Sequence, residues 1–351
     1  MKIAQVSPLY ESVPPRLYGG TERIVHYLTE ELVAQGHEVT LFASGDSVTS
    51  ARLVPITRRA LRLDGGVVDQ LVHHVRMLEM VWRASHKFDL IHYHVDYLHF
   101  PFSRRMRTPH LTTLHGRLDI KGLAALYRDF CEIPVVSISN AQREPLPHAN
   151  WQRTVYHGLP PNLLRFNPDP SDYVAFLGRI SPEKQADHAI RIARAAGIEL
   201  RIAAKIDRVD RRYYRKIVEP LLSAGDGVTY IGEIGEDQKQ DFIGNARALL
   251  FPINWPEPFG LVMIEAFACG TPVIAYRRGS VPEVMRDGVT GFIVDGPDQA
   301  LDALRRIDRL DRREIRRVFE AHYTAERMAA EYLAVYRLLA RDRSLPHAQI
   351  A

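Results

Sequence analysis

In the stretch NWPEPFGLVMIEAFACGTPVIAY, residues 254–276, every position from Leu261 to Ala268 is apolar except Glu265. A helix that is apolar all round is a buried one. A polar group taken into a dry interior without a hydrogen bond costs roughly 2–7 kcal/mol, and a carboxylate more. Glu265 therefore needs a partner, and two kinds fit: a pair of vicinal hydroxyls, as on a ribose, or an Arg or Lys from elsewhere in the same domain. Glu257 stands in the stiff loop Pro256-Glu257-Pro258 at the mouth of the same helix, where its carboxylate can accept hydrogen bonds from sugar hydroxyls. That helix is expected to begin near Phe259, Gly260 and Leu261. Gly260 bares the backbone, so that the unpaired amides of the first turn can approach a ligand closely.

A second constellation lies upstream in GRISPEK. Ser181 reads as an N-cap and Pro182 as the first helical residue. Arg179 then stands just before a helix start and Lys184 in its first turn, where a cation is mildly unfavourable against the helix dipole. Two cations beside free amide hydrogens form an anion site; two solvated surface charges are the plainer alternative.

The first half offers less specific signals. YGGTER puts Gly19 and Gly20 directly before a helix, but this is not the GxGxxG fingerprint, so a nicotinamide cofactor is not expected. TLHGR puts His115 at a strand end. In HYHVD, His92 and His94 share one face of a strand, yet no third ligand can be placed, so no metal site is expected. His94 and Asp96 are candidates for the side that meets an acceptor. Ser139 reads as a helix cap, and Arg143 fits an inward or a surface position equally.

These elements must be held by alternating short apolar runs and helical patterns. Strands are predicted at KIAQVS, EVTLFA, DLIHYH, HLTTLH, VVSIS and TVYH, and then at YVAFLG, LRIAA, VTYIG, ALLFP, PVIAY and GFIVD. Runs this short and this apolar belong to parallel strands covered by helices on both faces. In TERIVHYLTEELVAQG, Thr21 is the expected N-cap, Ile24, Leu28 and Leu32 form the buried face, and Gly36 closes the helix. The fold class is α/β, with two doubly wound Rossmann-like domains. A proline-rich stretch, HGLPPNLLRFNPDPSDY, reads as the linker. The expected division is 1–165, 166–325, and a C-terminal helix and polar tail over 326–351. The helix packs back on the first domain and the tail is disordered. Ligands are expected in a cleft between the two domains.

At 351 residues the chain exceeds one ordinary core, which is what two domains require. Lys and Arg exceed Asp and Glu by only four, too few to argue for nucleic acid. Cys131 and Cys269 stand far apart, as in a reducing cytoplasm. With no signal-like start and no long apolar run, a soluble cytoplasmic protein is expected. The aromatic and basic stretch FPFSRRMR leaves peripheral contact with the inner face of a membrane open, against the plainer reading of a solvated loop.

GRISPEK followed by PEPFGLVMIEAFACGTPVIAYRRGSVPEVMRDGVTGFIVD resembles the donor-binding half of the retaining glycosyltransferases of family 4. These have the GT-B fold, two Rossmann-like domains facing across a cleft, and the signature of two glutamates with seven residues between them, met here by Glu257 and Glu265. The resemblance implies that Arg179 and Lys184 neutralise a nucleotide diphosphate and that Glu265 holds the ribose. It implies that Glu257, with the amides of Phe259, Gly260 and Leu261, meets the transferred sugar. Glu233 and Ile234 would hold the base, Gly19 and Gly20 would close over the phosphates, and His115 would lie near the donor sugar. Two departures stand out: Gln185 where many relatives have glycine, and His157-Gly158 in place of asparagine-glycine.

The expected activity is transfer of a sugar from a nucleotide diphosphate-sugar, a UDP-sugar foremost, to an acceptor hydroxyl with retention. No cofactor or metal is expected. The acceptor, whether saccharide, lipid-linked or a small molecule, is not legible. A GT-B sugar-nucleotide epimerase and a catalytically silent nucleotide-sugar binding protein are the alternatives.

Overall fold

The computed structural model describes residues 1–225 and 227–341. The polar tail read as disordered lies outside the described residues. The chain forms two compact units. The first comprises Met1–Gly158 together with the helix Ala325–Arg341, and the second is Leu159–Thr324.

The first unit holds seven parallel strands: β1 (Lys2–Val6), β2 (Glu38–Ala43), β3 (Arg52–Pro55), β4 (Leu90–Tyr93), β5 (His110–Thr113), β6 (Val135–Ser137) and β7 (Trp151–Thr154). Their spatial order is β3-β2-β1-β4-β5-β6-β7. The second unit holds β8 (Tyr173–Arg179), β9 (Glu199–Lys205), β10 (Val228–Gly232), β11 (Ala248–Phe251), β12 (Val273–Tyr276) and β13 (Gly291–Val294). These run parallel in the order β10-β9-β8-β11-β12-β13. In each sheet the winding reverses beside the first strand, between β1 and β4 and between β8 and β11. Ligands of such sheets bind outside the carboxyl ends of the strands at this reversal.

Apolar residues put the strands inside. Ile3, Ala4 and Val6 of β1 and all of β11 are buried, with helices packed on the sheet faces. In the helix Gly20–Ala34, Ile24, Leu28 and Leu32 are buried as the pattern requires.

Several local expectations are corrected. The helix cap is Gly19 instead of Thr21, and a Cβ on Gly19 would meet Pro15 Cβ at 2.7 Å. The strand sought at TVYH lies at Trp151–Thr154, and β3, a short edge strand with two exposed ends, was not anticipated. The units part at Gly158 and Leu159 instead of at 165 and 166, and the chain returns at Ala325. The reason is physical. Arg316 donates to the carbonyls of Pro161 and Leu164, Arg312 donates to that of Asn167, and Leu159 N–H donates to Tyr323 O at 2.9 Å. The proline-rich segment is thereby tied into the second unit.

The C-terminal helix is part of the first unit's core. Met328, Tyr332, Leu333 and Tyr336 are buried, and the Tyr336 hydroxyl lies 3.3 Å from Gln5 Nε2 in β1.

Candidate functional site

In the second unit the two motifs converge at the carboxyl ends of β8 and β11. Arg179 is the last residue of β8 and pairs in register with Lys205, the last of β9. The following SPEK segment is a turn. Lys184 N–H and Gln185 N–H both donate to Ser181 O at 3.1 Å, and the helix begins only at Ala186. Ser181 is therefore not the helix cap, and Lys184 precedes the first helical turn. Gln185 explains the difference: it sits at φ 49°, a left-handed conformation that glycine adopts without cost.

Lys184 is held by one carboxylate and two aromatic rings. Its Nζ bonds Glu257 Oε2 and lies 5.2 Å from the Phe251 ring centre and 5.1 Å from that of Trp255. Trp255 Nε1 donates to the same Glu257 oxygen at 2.8 Å, and Asn254 N–H donates to Glu183 O at 2.8 Å. The two loops are one assembly, and it holds the Glu257 carboxylate through Oε2. Arg179 is surrounded by carboxylates instead of standing as a bare cation: Asp210 at 3.3 Å, and Asp207 and Glu183 at 3.6 Å. Burial raises the Asp210 carboxyl above its ordinary value despite the arginine.

Glu265 lies in the helix Leu261–Cys269 and is 3% exposed. Its partner in the structure is Lys239, 2.5 Å from Oε1, which also approaches Glu236 at 3.4 Å. Lys239 comes from the helix Glu236–Gly244 that follows Glu233 and Ile234. Of that pair Ile234 is buried and Glu233 exposed, beyond the carboxyl end of β10. Phe259 is buried. Gly260, at φ 78°, caps the helix with its Cα packed so closely that a Cβ would meet Met263 Cε at 2.8 Å. Leu261 opens the helix with a first-turn amide that has no intrahelical acceptor.

Four contributors were missed by sequence reasoning: Lys239, Trp255, Gly279 and Ser280. Ser280 N–H donates to Glu257 O at 2.9 Å and its hydroxyl donates to Phe259 O at 2.9 Å, holding the Glu257 loop from behind. A Cβ on Gly279, at φ 51°, would lie 2.3 Å from Glu257 N and 2.4 Å from Glu257 O. The Gly-Ser pair before VPE was the available signal. Gly279→Ala is expected to displace the Glu257 loop and to destabilise the protein by about 1–3 kcal/mol, read by urea unfolding, with Trp255 fluorescence reporting the shift. A variant with wild-type stability and emission would count against this contact.

In the first unit, Gly19 and Gly20 open the helix beside the carboxyl end of β1, while His94 and Asp96 follow β4 and His115 follows β5. These side chains form a relay. His115 Nε2 lies 2.9 Å from His94 Nδ1, and His94 Nε2 lies 2.8 Å from Gln5 Oε1. His92 bonds Tyr336 and Thr113, both at 2.7 Å. Asp96, at φ 49°, accepts a hydrogen bond from the backbone N–H of His115. Burial lowers the His115 pKa to about 3 and holds His92, His94 and His157 well below the usual imidazole range, so all four are neutral near pH 7. Ser139 does cap its helix, accepting from Gln142 N–H at 3.0 Å, and Arg143 lies over Trp151. Among the described residues no cluster of three or more His, Cys, Asp or Glu is arranged to hold a metal ion, and no helix is long and apolar enough to cross a membrane.

The model of the family "Glycosyl transferases group 1" matches residues 165–321, and that of "Glycosyltransferase Family 4" matches residues 18–143. The D-inositol 3-phosphate glycosyltransferase of Mycolicibacterium smegmatis is 35% identical over 140 residues, 37% of this chain. That match spans only 31% of the mycobacterial relative's length. The D-inositol 3-phosphate glycosyltransferase of Streptomyces avermitilis is 26% identical over 344 residues, covering 80% of this chain and 73% of the relative. Among solved structures, sucrose-phosphate synthase from Thermosynechococcus elongatus superposes with a TM-score of 0.80 at 20% identity, covering 97% of this chain and 99% of that one. HepE of Anabaena, solved in complex with UDP and glucose, gives 0.75 at 17% identity over 96% of this chain and 100% of that one. With both family models matching in chain order and two all-parallel Rossmann-like sheets beneath them, the chain belongs to the family-4 glycosyltransferases and has their GT-B fold.

Proposed function

We propose that the protein transfers a sugar from a nucleotide diphosphate-sugar, a UDP-sugar foremost, to an acceptor hydroxyl with retention of anomeric configuration. The observation that carries this reading is the assembly at the sheet reversal of the second unit. There Lys184 and Arg179 stand with two glutamates that are each pinned through a single oxygen. Glu257 is bonded by Lys184 and Trp255 through Oε2, and Glu265 by Lys239 through Oε1. The second oxygen of each is outside these bonds, and hydroxyls of a transferred sugar and of a ribose are the groups assigned to them. That the fold is shared with a protein solved with UDP and glucose supports the choice of nucleotide.

In the reaction the acceptor oxygen bonds to the anomeric carbon as the bond from that carbon to the phosphate oxygen breaks. The acceptor proton passes to the leaving phosphate on the same face. Negative charge grows on the diphosphate, and Lys184 and Arg179 stabilise it as preorganised cations. Their carboxylate partners keep both side chains oriented before the diphosphate arrives. His115, neutral, is assigned to a sugar hydroxyl.

A thermal-shift series with UDP, GDP, ADP and their sugar conjugates in the presence of EDTA tests the donor. A ligand that binds only the folded state at a hundred times its Kd adds about 2.7 kcal/mol of stability. One nucleotide family is expected to raise the melting temperature. Glu265→Ala is expected to weaken that shift, while Lys184→Ala lowers turnover by roughly 10²–10³-fold. Wild-type turnover in both variants with the responding donor would overturn the assignment. Consumption of the nucleotide-sugar without a glycosylated product would point to an epimerase.

A further inference from the structure

The relay in the first unit has a direction, and that direction decides what His115 can recognise. A neutral imidazole carries one N–H, so one ring nitrogen donates and the other accepts. Gln5 presents its amide oxygen to His94 Nε2 at 2.8 Å, and an amide oxygen can only accept. His94 Nε2 therefore carries the proton and His94 Nδ1 is a lone pair. That lone pair faces His115 Nε2 at 2.9 Å, so His115 is protonated at Nε2 and bare at Nδ1.

The other end of the Gln5 amide fits the same direction. Its Nε2 donates to the Tyr336 hydroxyl at 3.3 Å, that hydroxyl donates to His92 Nδ1 at 2.7 Å, and His92 Nε2 donates to Thr113 Oγ1 at 2.7 Å. Six side chains, on or just after β1, β4 and β5 and in the C-terminal helix, thus run as one oriented chain of hydrogen bonds. Among the described residues His115 Nδ1 is shielded and has no hydrogen-bond partner, although its ring as a whole is only half-buried. The His157 ring stacks on it with centres 5.4 Å apart and planes 17° from parallel, which fixes the ring plane. A buried polar atom without a partner is rare and calls for a donor, and a ligand hydroxyl is one group that supplies it.

We infer that Gln5 and His94 are positioning residues that set the hydrogen-bond polarity of His115, so that it recognises a ligand hydroxyl, which can donate, and rejects a carboxylate or carbonyl oxygen at that point. The polarity stands on the relay alone; that the hydroxyl belongs to a sugar rests on the proposed glycosyl transfer. Sugars carrying a carboxylate at this contact would set two acceptors against each other in a shielded site. Such sites discriminate strongly, because the mismatched polar group is left unpaired.

Long-range proton–nitrogen NMR on the full-length protein, labelled with ¹⁵N-imidazole histidine and assigned through His115→Asn, reads the tautomer directly. At pH 7.5 the His115 signals are expected to show a pyridine-type Nδ1 and a pyrrole-type Nε2. Gln5→Met removes the acceptor and is expected to draw both nitrogens toward averaged shifts. Gln5→Glu, whose ionised carboxylate also accepts from His94, is expected to preserve the wild-type pattern. A pyrrole-type Nδ1 or an imidazolium in the wild type would overturn the inference, and so would a His115 pattern unmoved by Gln5→Met. The wild-type spectrum decides even if Gln5→Met fails to fold. UDP-glucose is then added to the same sample. An Nδ1 shift moved upfield by a new hydrogen bond supports hydroxyl recognition, whereas the predicted tautomer with no response to any nucleotide-sugar would leave the relay standing and sink the donor reading.

Discussion

Acidification from pH 7.5 to 5.5 is expected to remove a large part of the protein's stability, through the first unit. His92, His94, His99, His115 and His157 are all held neutral by burial, with folded-state pKa values below the ordinary imidazole value of 6.5. The unfolded chain binds these protons more readily than the folded one. Stability is therefore fully present above about pH 6.5 and lost as pH falls below it. Each histidine contributes about 1.4 kcal/mol at one pH unit below its unfolded value, so five reach roughly 7 kcal/mol against a total that is typically about 5–15. Glu22 and Asp96 oppose this. Burial raises each carboxyl to about 6, so the penalty, about 2 kcal/mol for Glu22 at neutral pH, is only partly relieved by pH 5.5. That is too little to offset five imidazoles. Urea unfolding at a series of pH values measures the slope. A stability that stays flat from pH 7.5 to 5.5 would show that these histidines are not buried as neutral rings.

Lys239→Met is expected to destabilise the protein by about 3–5 kcal/mol, because it strands a carboxylate that is 3% exposed. Two apolar side chains of similar volume can replace a buried ion pair without loss. The double variant Lys239→Met with Glu265→Leu should thus recover most of the stability. Nucleotide binding should not return with it, since the oxygen assigned to the ribose is gone. The pair of measurements separates the two parts of Glu265: one oxygen holds the fold together through Lys239, and the other is left for a ligand. A Lys239→Met protein within about 0.5 kcal/mol of the wild type would mean that the ion pair contributes nothing.

The unusual position of Glu265 was legible because a single acid in an apolar helix stands out. Its partner was not, because Lys239 lies 26 positions upstream, in a helix with other charges around it. Both alternatives weighed for Glu265 describe part of the site: the ion pair occupies one oxygen, and the hydroxyl clasp is assigned the other. The strands were legible nearly throughout, since parallel strands buried on both faces are continuous apolar runs. The exceptions were β3 and β7, edge strands without that signal.

Arg179 and Lys184 were legible as a pair, but their surroundings were not. Glu183 reaches Arg179 from four positions downstream in the same turn, whereas Asp207 and Asp210 come together from the segment after β9, and no local pattern announces that second approach. Gln185 misled in a particular way. A motif that starts with Ser-Pro reads as a capped helix, and only the left-handed Gln185 shows why the helix waits until Ala186. Gln5 carried no signal at all. It is a buried polar residue inside an apolar strand, and its role depends on His94 and Tyr336, which lie far along the chain.

The most direct test is calorimetric titration of the wild-type protein, Glu265→Gln and Lys184→Ala with UDP and UDP-glucose in EDTA. Arg317→Ala, on the exposed face of the helix Arg312–His322, serves as the control. One binding site per chain is expected in the wild type and the control, weakened at least about tenfold in Glu265→Gln, with Lys184→Ala weakened for both ligands. Equal affinity in all four proteins would contradict the placement of the nucleotide at the reversal of the second sheet.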